Sequence, residues 1–191
     1  MVKPLLIIVN GLPGTGKTTL AKRLAAEMRF PLFSRDGIYE TLFDALDCQN
    51  NGCPPLIGPS TFTLLYAYAN SLLKVGQSLV IEGFFGRPEL RSAEFLQLKL
   101  TSDFQPFQIL CKTDGEVLLD RFLKRMSTVE RHIGHHDQEW IEEEQNKERL
   151  LQGHLTPLSL GGTVVEIDTT TPYSFDYDEL LKQVRAVQFN M

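Results

Sequence analysis

Residues 11–18 read GLPGTGKT, directly after the apolar run of residues 5–9, LLIIV, and directly before the helix-forming run of residues 19–27. No other stretch restricts the fold as tightly. Glycine, four residues, then Gly-Lys-Thr is the pattern of a loop whose successive backbone N–H groups wrap a phosphate. Such a loop needs a buried parallel strand before it and a helix N-terminus after it, and both flanks are present. Gly11, Gly14 and Gly16 supply backbone angles and a close approach that a Cβ obstructs. Lys17 brings a point charge to the β- and γ-phosphates, and the Thr18 hydroxyl offers a hard oxygen to Mg²⁺. The residues expected at a nucleoside triphosphate are therefore Gly11, Pro13, Gly14, Thr15 and Gly16 in the loop, followed by Lys17, Thr18 and Thr19.

Apolar strand-like runs recur at 5–10, 31–34, 78–83, 107–112 and 163–168, and helical patterns fill the gaps at 18–28, 37–46, 60–75, 88–98, 116–126, 139–153 and 178–189. This alternation predicts an α/β protein with a parallel sheet and helices on both faces. Thr113 with Glu116 reads as a capping box, Asp176 or Asp178 as the cap of the last helix, and Gly76 and Gly153 as helix ends. The 191 residues fit one domain. A net charge of −5 predicts no general attraction to nucleic acid or to anionic membrane. No apolar run approaches the ~20 residues that span a bilayer. The first strand begins so early that no signal peptide is expected, and an odd count of three cysteines makes no disulfide framework. A cytoplasmic protein is the expectation.

Two stretches break the βα rhythm. Residues 47–59 are rich in Asn, Gly and Pro and contain Cys48 and Cys53, which read as part of a flexible loop rather than half of a metal site. Residues 127–138, STVERHIGHHDQ, are polar and His-rich, and read as a mobile lid. His132, His135 and His136 fit lid positions better than zinc ligation, because adjacent side chains diverge.

Several side chains suit phosphoryl transfer. Asp36 follows the second strand, where a carboxylate can face a γ-phosphate and accept the proton of an attacking hydroxyl. Its other reading is a helix cap. Arg35 beside it suits an anionic site. Glu82 ends the third strand, the place for a carboxylate that holds Mg²⁺ directly or through water. Arg87 and Arg91 follow closely and can reach substrate. Arg121 and Arg125 lie four apart on one helical face, with Arg131 beyond them. Arginines converging there neutralise charge on the transferred group, and a guanidinium also stacks on a base. Phe62, Leu65 and Tyr66 recur at helical spacing, so Phe62 and Tyr66 can wall an acceptor pocket formed with residues 47–62, while Leu65 reads as core.

GLPGTGKT, the SRD after strand two, EGFFGRPELR after strand three, RFLKR followed by RHIGHHD, and the closing VVEIDTT together resemble the small P-loop kinases. Relatives in that group include polynucleotide 5′-hydroxyl kinase, chloramphenicol phosphotransferase and zeta-toxin-like kinases. The resemblance runs along nearly the whole chain. It implies a P-loop NTPase three-layer α/β/α sandwich with five parallel strands in the order 2-3-1-4-5 and an Arg-bearing lid. It further implies ATP with Mg²⁺ and phosphoryl transfer to a hydroxyl. By position it assigns Asp36 as the substrate-facing acid, Arg91 as the arginine after strand three, and Arg125 and Arg131 as lid arginines. Thr169 and Thr170 fall in the loop near the adenine. Glu82 stands where relatives commonly carry Asp, and residues 47–59 have no counterpart.

Three readings follow: a kinase for a small hydroxyl-bearing acceptor, a 5′-hydroxyl polynucleotide kinase of the RNA-repair type, and a non-catalytic ATP-binding switch. The lack of a basic run weighs against nucleic acid as acceptor. No Asn-Lys-x-Asp string is present to read guanine. Either a monomer or a homodimer is compatible with the chain.

Overall fold

The computed structural model describes residues 3–129, 131–172 and 174–189. Strand β1 (Leu5–Gly11) is the centre of the sheet, and all seven of its residues are buried, as a strand covered by helices on both faces requires. It pairs with β3 (Leu79–Gly83) on one side and β4 (Gln105–Lys112) on the other. The short β2 (Leu32–Ser34) lies outside β3, and β5 (Thr163–Asp168) lies outside β4. All pairings are parallel and the order is 2-3-1-4-5, as the resemblance implies.

Successive side chains of β1 point to opposite faces. Leu5, Ile7 and Val9 pack with α1 (Lys17–Met28) and α9 (Tyr177–Phe189). Leu6 and Ile8 pack with α4 (Ile57–Lys74) and α5 (Pro88–Thr101). Each of these five aliphatic side chains contributes about 1.5–3 kcal/mol by burial, so the strand that feeds the glycine loop is firmly anchored. Two smaller apolar clusters sit elsewhere. Phe43 of α2 (Arg35–Ala45) packs with Cys48 of α3 (Cys48–Asn51) and Ile57. Leu12 packs with Leu118 and Phe122 of α6 (Gly115–Met126), with Trp140 of α7 (Asp137–Glu142) and with Leu150 of α8 (Glu144–Gln152). Among the described residues, no helix is long and apolar enough to cross a membrane.

Four expectations change. The cap of α6 is Asp114, which accepts from the Glu116 and Val117 amides at 3.0 and 3.1 Å. Thr113 instead turns its hydroxyl to Thr169, 2.7 Å away. The helix expected at 139–153 is two helices with extended backbone at Glu143 between them. Asn146 supports the break by donating to the Trp140 carbonyl and the Glu143 carboxylate. Cys48 and Cys53 form a disulfide with their Cα atoms 4.6 Å apart. The short α3 and Gly52, at φ 74°, turn the chain back so that the two cysteines meet. The third cysteine, Cys111, is free and buried, so an odd count conceals one bridge, and the cysteines lend no support to a reducing compartment. Finally, residues 131–136 are docked rather than loose, as described below.

Candidate active site

The glycine loop leaves the carboxyl end of β1. A Cβ on Gly11 would lie 2.6 Å from Thr15 Oγ1 and 2.9 Å from the Cys111 carbonyl oxygen, so only glycine fits. Gly14 and Gly16 have φ of 93° and 78°, a region that disfavours side chains. Gly16 caps α1 without a side-chain acceptor. The first-turn N–H groups of a twelve-residue helix are thereby left for an anion.

Beside the loop, a partly buried hydroxyl–carboxylate cluster joins three elements. The Thr18 hydroxyl donates to Glu82 Oε2 at 2.7 Å, and the Ser34 hydroxyl donates to Glu82 Oε1 at 3.0 Å. Parallel register makes this possible, because Ser34 and Glu82 are direct neighbours across β2 and β3. Glu82 is fully buried. The cluster consists of hard oxygen donors, the chemistry that Mg²⁺ takes, and so the residues present fit that ion. Ser34 also accepts from the Gly37 amide as the cap of α2. Asp36 is therefore not the cap.

Asp36 lines a cavity of about 440 Å³ together with Lys17, Pro13, Arg35 and Phe62. The same cavity takes in Arg87, Arg91, Arg125 and Arg131. With His135 and His136, eleven of the residues singled out in the sequence thus meet in one space, from the glycine loop, α1, α2, α4, α5 and the turn before it, α6 and the segment after α6. Burial pushes the Asp36 carboxyl up, but Lys17, Arg35 and His135 outweigh it and hold the group below the usual carboxylate range. It is an ionised acceptor at neutral pH. Burial, and next Arg131, lower the proton affinity of Arg125. Its Nε and Nη2 atoms are buried without a hydrogen-bond partner among the described residues.

Residues 131–136 close over α2. Arg131 is held by Asp137, His132 Nε2 lies 3.1 Å from Asp44, and His135 Nε2 lies 2.7 Å from Glu40. The Gly134 amide donates to His132 Nδ1, which places the proton of the neutral ring on Nε2. Gly134 is buried against Phe43, and a Cβ there would meet the ring at 2.6 Å. The polar, His-rich composition of this stretch predicts a mobile lid, yet here it is docked. Ion pairs and aromatic contacts, including His132 edge-on to Phe43, supply what apolar side chains do not. Among the described residues, no group of three His, Cys, Asp or Glu side chains is placed to hold a metal ion.

Other expected residues lie outside this cavity. Tyr66 stands behind it, its hydroxyl bonded to Glu94 at 2.7 Å and its ring edge-on to Phe95. Of the stretch 47–62 only Phe62 reaches the cavity; Cys48 and Ile57 are turned into the α2 contact. Arg121 forks onto the Thr169 and Thr170 carbonyls at 2.9 and 2.7 Å, so the three residues expected near an adenine do come together. Arg121 and Arg125 share a helix but are put to different tasks. Ser34, Phe84, Asp137, Trp140 and Arg149 were missed. The SRD, EGFFGRPELR and RHIGHHD strings contain three of them, Ser34, Phe84 and Asp137.

The sequence pattern of the AAA domain family AAA_33 matches residues 6–149. The chain belongs to this family. A Chloroflexus aurantiacus J-10-fl protein that carries a provisional kinase name is 36% identical, with 96% of this chain and 98% of that chain covered and a TM-score of 0.85. Kti12 from Chaetomium thermophilum, solved with ADP-AlF3, is 16% identical over 96% and 98% of the two chains, with a TM-score of 0.64. A sugar kinase from Janibacter sp. HTCC2649 is 14% identical over 98% and 95%, with a TM-score of 0.58. These last two show the fold alone, that of the P-loop kinases. No curated protein matches the chain.

Proposed function

We propose that this AAA domain protein is an ATP-dependent phosphotransferase that moves the γ-phosphoryl group onto a hydroxyl of a small-molecule acceptor. One observation carries the reading: Lys17 of the glycine loop and the ionised Asp36 share one cavity wall, near enough that the lysine helps hold the carboxyl charged. The kinase name of the 36% identical relative supports it.

The loop amides and Lys17 bind the β- and γ-phosphates. Arg125, whose buried Nε and Nη2 make no hydrogen bond among the described residues, takes phosphoryl oxygens, and Arg131 joins it. Thr18 and Glu82 would hold Mg²⁺, which neutralises charge on the phosphates when bound. Asp36 accepts the proton of the acceptor hydroxyl. The hydroxyl oxygen bonds to the γ-phosphorus, the bond from that phosphorus to the bridging oxygen breaks, and ADP leaves. Residues 127–138 act as the lid of a single catalytic domain spanning 1–191, and exclude water from the transfer.

Calorimetry with ATP and Mg²⁺, followed by γ-labelled ATP offered with a panel of hydroxyl compounds, tests this. Lys17→Ala should weaken ATP binding by roughly 2 kcal/mol or more, since charge-assisted phosphate contacts are lost, and wild type should place the label on an organic product. Equal ATP affinity in both proteins, or label recovered only as inorganic phosphate, contradicts the proposal.

A further inference from the structure

The cavity is far more cationic than the molecule. Lys17 and six arginines line it against three carboxylates, Asp36, Asp137 and Glu143, a surplus of four, although the chain carries a net charge of −5. ATP with Mg²⁺ brings roughly two negative charges once the ion is counted. Glu94, which lies behind Arg91 and bonds to it, cancels one more cation. A surplus of one cation is still left, and Arg35 and Arg91 are the two cations packed on Phe62.

Two of those arginines are built as a pair. The Arg91 guanidinium carbon lies 3.4 Å from the Phe62 ring centroid, and that of Arg35 lies 5.4 Å from the same ring. Contact with a ring face fixes a guanidinium plane and leaves its N–H edge for hydrogen bonding. Arg35 spends Nη1 on Asp36 at 3.1 Å, and its Nε is buried without a hydrogen-bond partner among the described residues. Arg91 engages Glu94 through Nη1 alone among the described residues. Tyr66 donates to the same Glu94 oxygen at 2.7 Å, so Tyr66 and Glu94 orient Arg91 from outside the cavity. Two guanidinium groups held against one ring, one of them bonded to the proton acceptor, suit an oxyanion.

We infer that the acceptor carries an oxyanion of its own, a phosphate or a carboxylate, seated by Arg35 and Arg91 beside Phe62; this rests on the phosphotransferase reading above. The seated anion presents a hydroxyl of the same molecule to Asp36. Arg91 binds the anion, and Tyr66 is a positioning residue that acts through Glu94.

The test uses the whole protein with AMPPNP and Mg²⁺ saturating the glycine loop, so that added anions compete only for the acceptor side. Calorimetric titration with inorganic phosphate should show binding that weakens at least tenfold in Arg91→Gln, less in Arg91→Lys and two- to fivefold in Tyr66→Phe. AMPPNP affinity should stay within twofold of wild type in all three. In a parallel assay with γ-labelled ATP, glycerol 3-phosphate, glycerate and glycerol are compared, and the two anions separate phosphate from carboxylate as the preferred group. Any labelling among these three should favour an anion over glycerol at least tenfold. Phosphate binding that is unchanged in Arg91→Gln and Tyr66→Phe, or glycerol labelled as well as its charged analogues, overturns the inference. If Arg91→Gln fails to fold, Arg91→Lys and Tyr66→Phe decide the matter alone. Preferential labelling of a 5′-hydroxyl oligonucleotide overturns it in favour of a nucleic-acid acceptor. Loss of AMPPNP binding in wild type would instead remove the phosphotransferase reading beneath it.

Discussion

Asp137 grips Arg131 through both carboxylate oxygens, at 2.5 Å to Nε and 2.7 Å to Nη2. The two side chains are only 11% and 16% exposed, and Arg125 Nη2 lies 3.7 Å from the same carboxylate. One acid therefore keeps two like-charged arginines together over the cavity. Asp137→Asn removes the shared counter-charge, at roughly 1–3 kcal/mol for a partly buried charged hydrogen-bonded pair. We expect amide hydrogen exchange across 131–136 to speed up and ATP turnover to fall by about tenfold or more, while exchange in β1 stays unchanged. Unaltered exchange in the segment would show that the ion pair does not hold it down.

Docking of the same segment should weaken in acid. Burial, and next Arg131, hold the proton affinity of His135 below its ordinary value, against the opposing pull of its Glu40 hydrogen bond and of Asp36. A depressed histidine favours its neutral form in the docked state, so the undocked state binds more protons. The docked state is at full stability above about pH 6.5, the ordinary histidine value, and loses it as pH falls through the lower docked-state value. Hydrogen exchange of 131–136 should therefore rise between neutral and acid pH, and His135→Gln should flatten the rise. A pH-independent rate in wild type contradicts this.

The Cys48–Cys53 bridge should affect stability without affecting chemistry. It closes a loop of sequence separation five, which in the chain-entropy treatment amounts to roughly 2 kcal/mol. Neither cysteine lines the cavity. Reduction by dithiothreitol should lower the denaturant midpoint and leave ATP affinity within twofold. A large loss of affinity would tie the bridge to the site.

The sheet was legible because its signal is local. The all-buried run of β1, the glycine string and the acids at strand ends report on themselves. The cavity's cation side was also legible, since arginines at Arg91, Arg125 and Arg131 follow strand and helix ends that the topology brings to one edge. What escaped depends on partners distant in sequence. Ser34 matters because parallel register sets it beside Glu82, and Asp137 because the chain turns back onto Arg131. Helical spacing sets Tyr66 beside Phe62 in the pocket wall, but it does not say which face the α5 residue Glu94 meets, and Tyr66 turns to Glu94 behind the cavity. Polarity made residues 131–136 read as loose, since charge pairing with Glu40 and Asp44 leaves no periodic pattern.

The most direct measurement of the central claim compares wild type with Asp36→Asn in two assays on the same preparations. The isosteric amide removes the proton acceptor and leaves the phosphate-binding loop untouched. The account predicts ATP affinity within a few-fold of wild type and transfer of the γ-label to acceptor reduced by roughly 10²–10⁴-fold, the reach of general-base catalysis. Undiminished transfer in Asp36→Asn would contradict it.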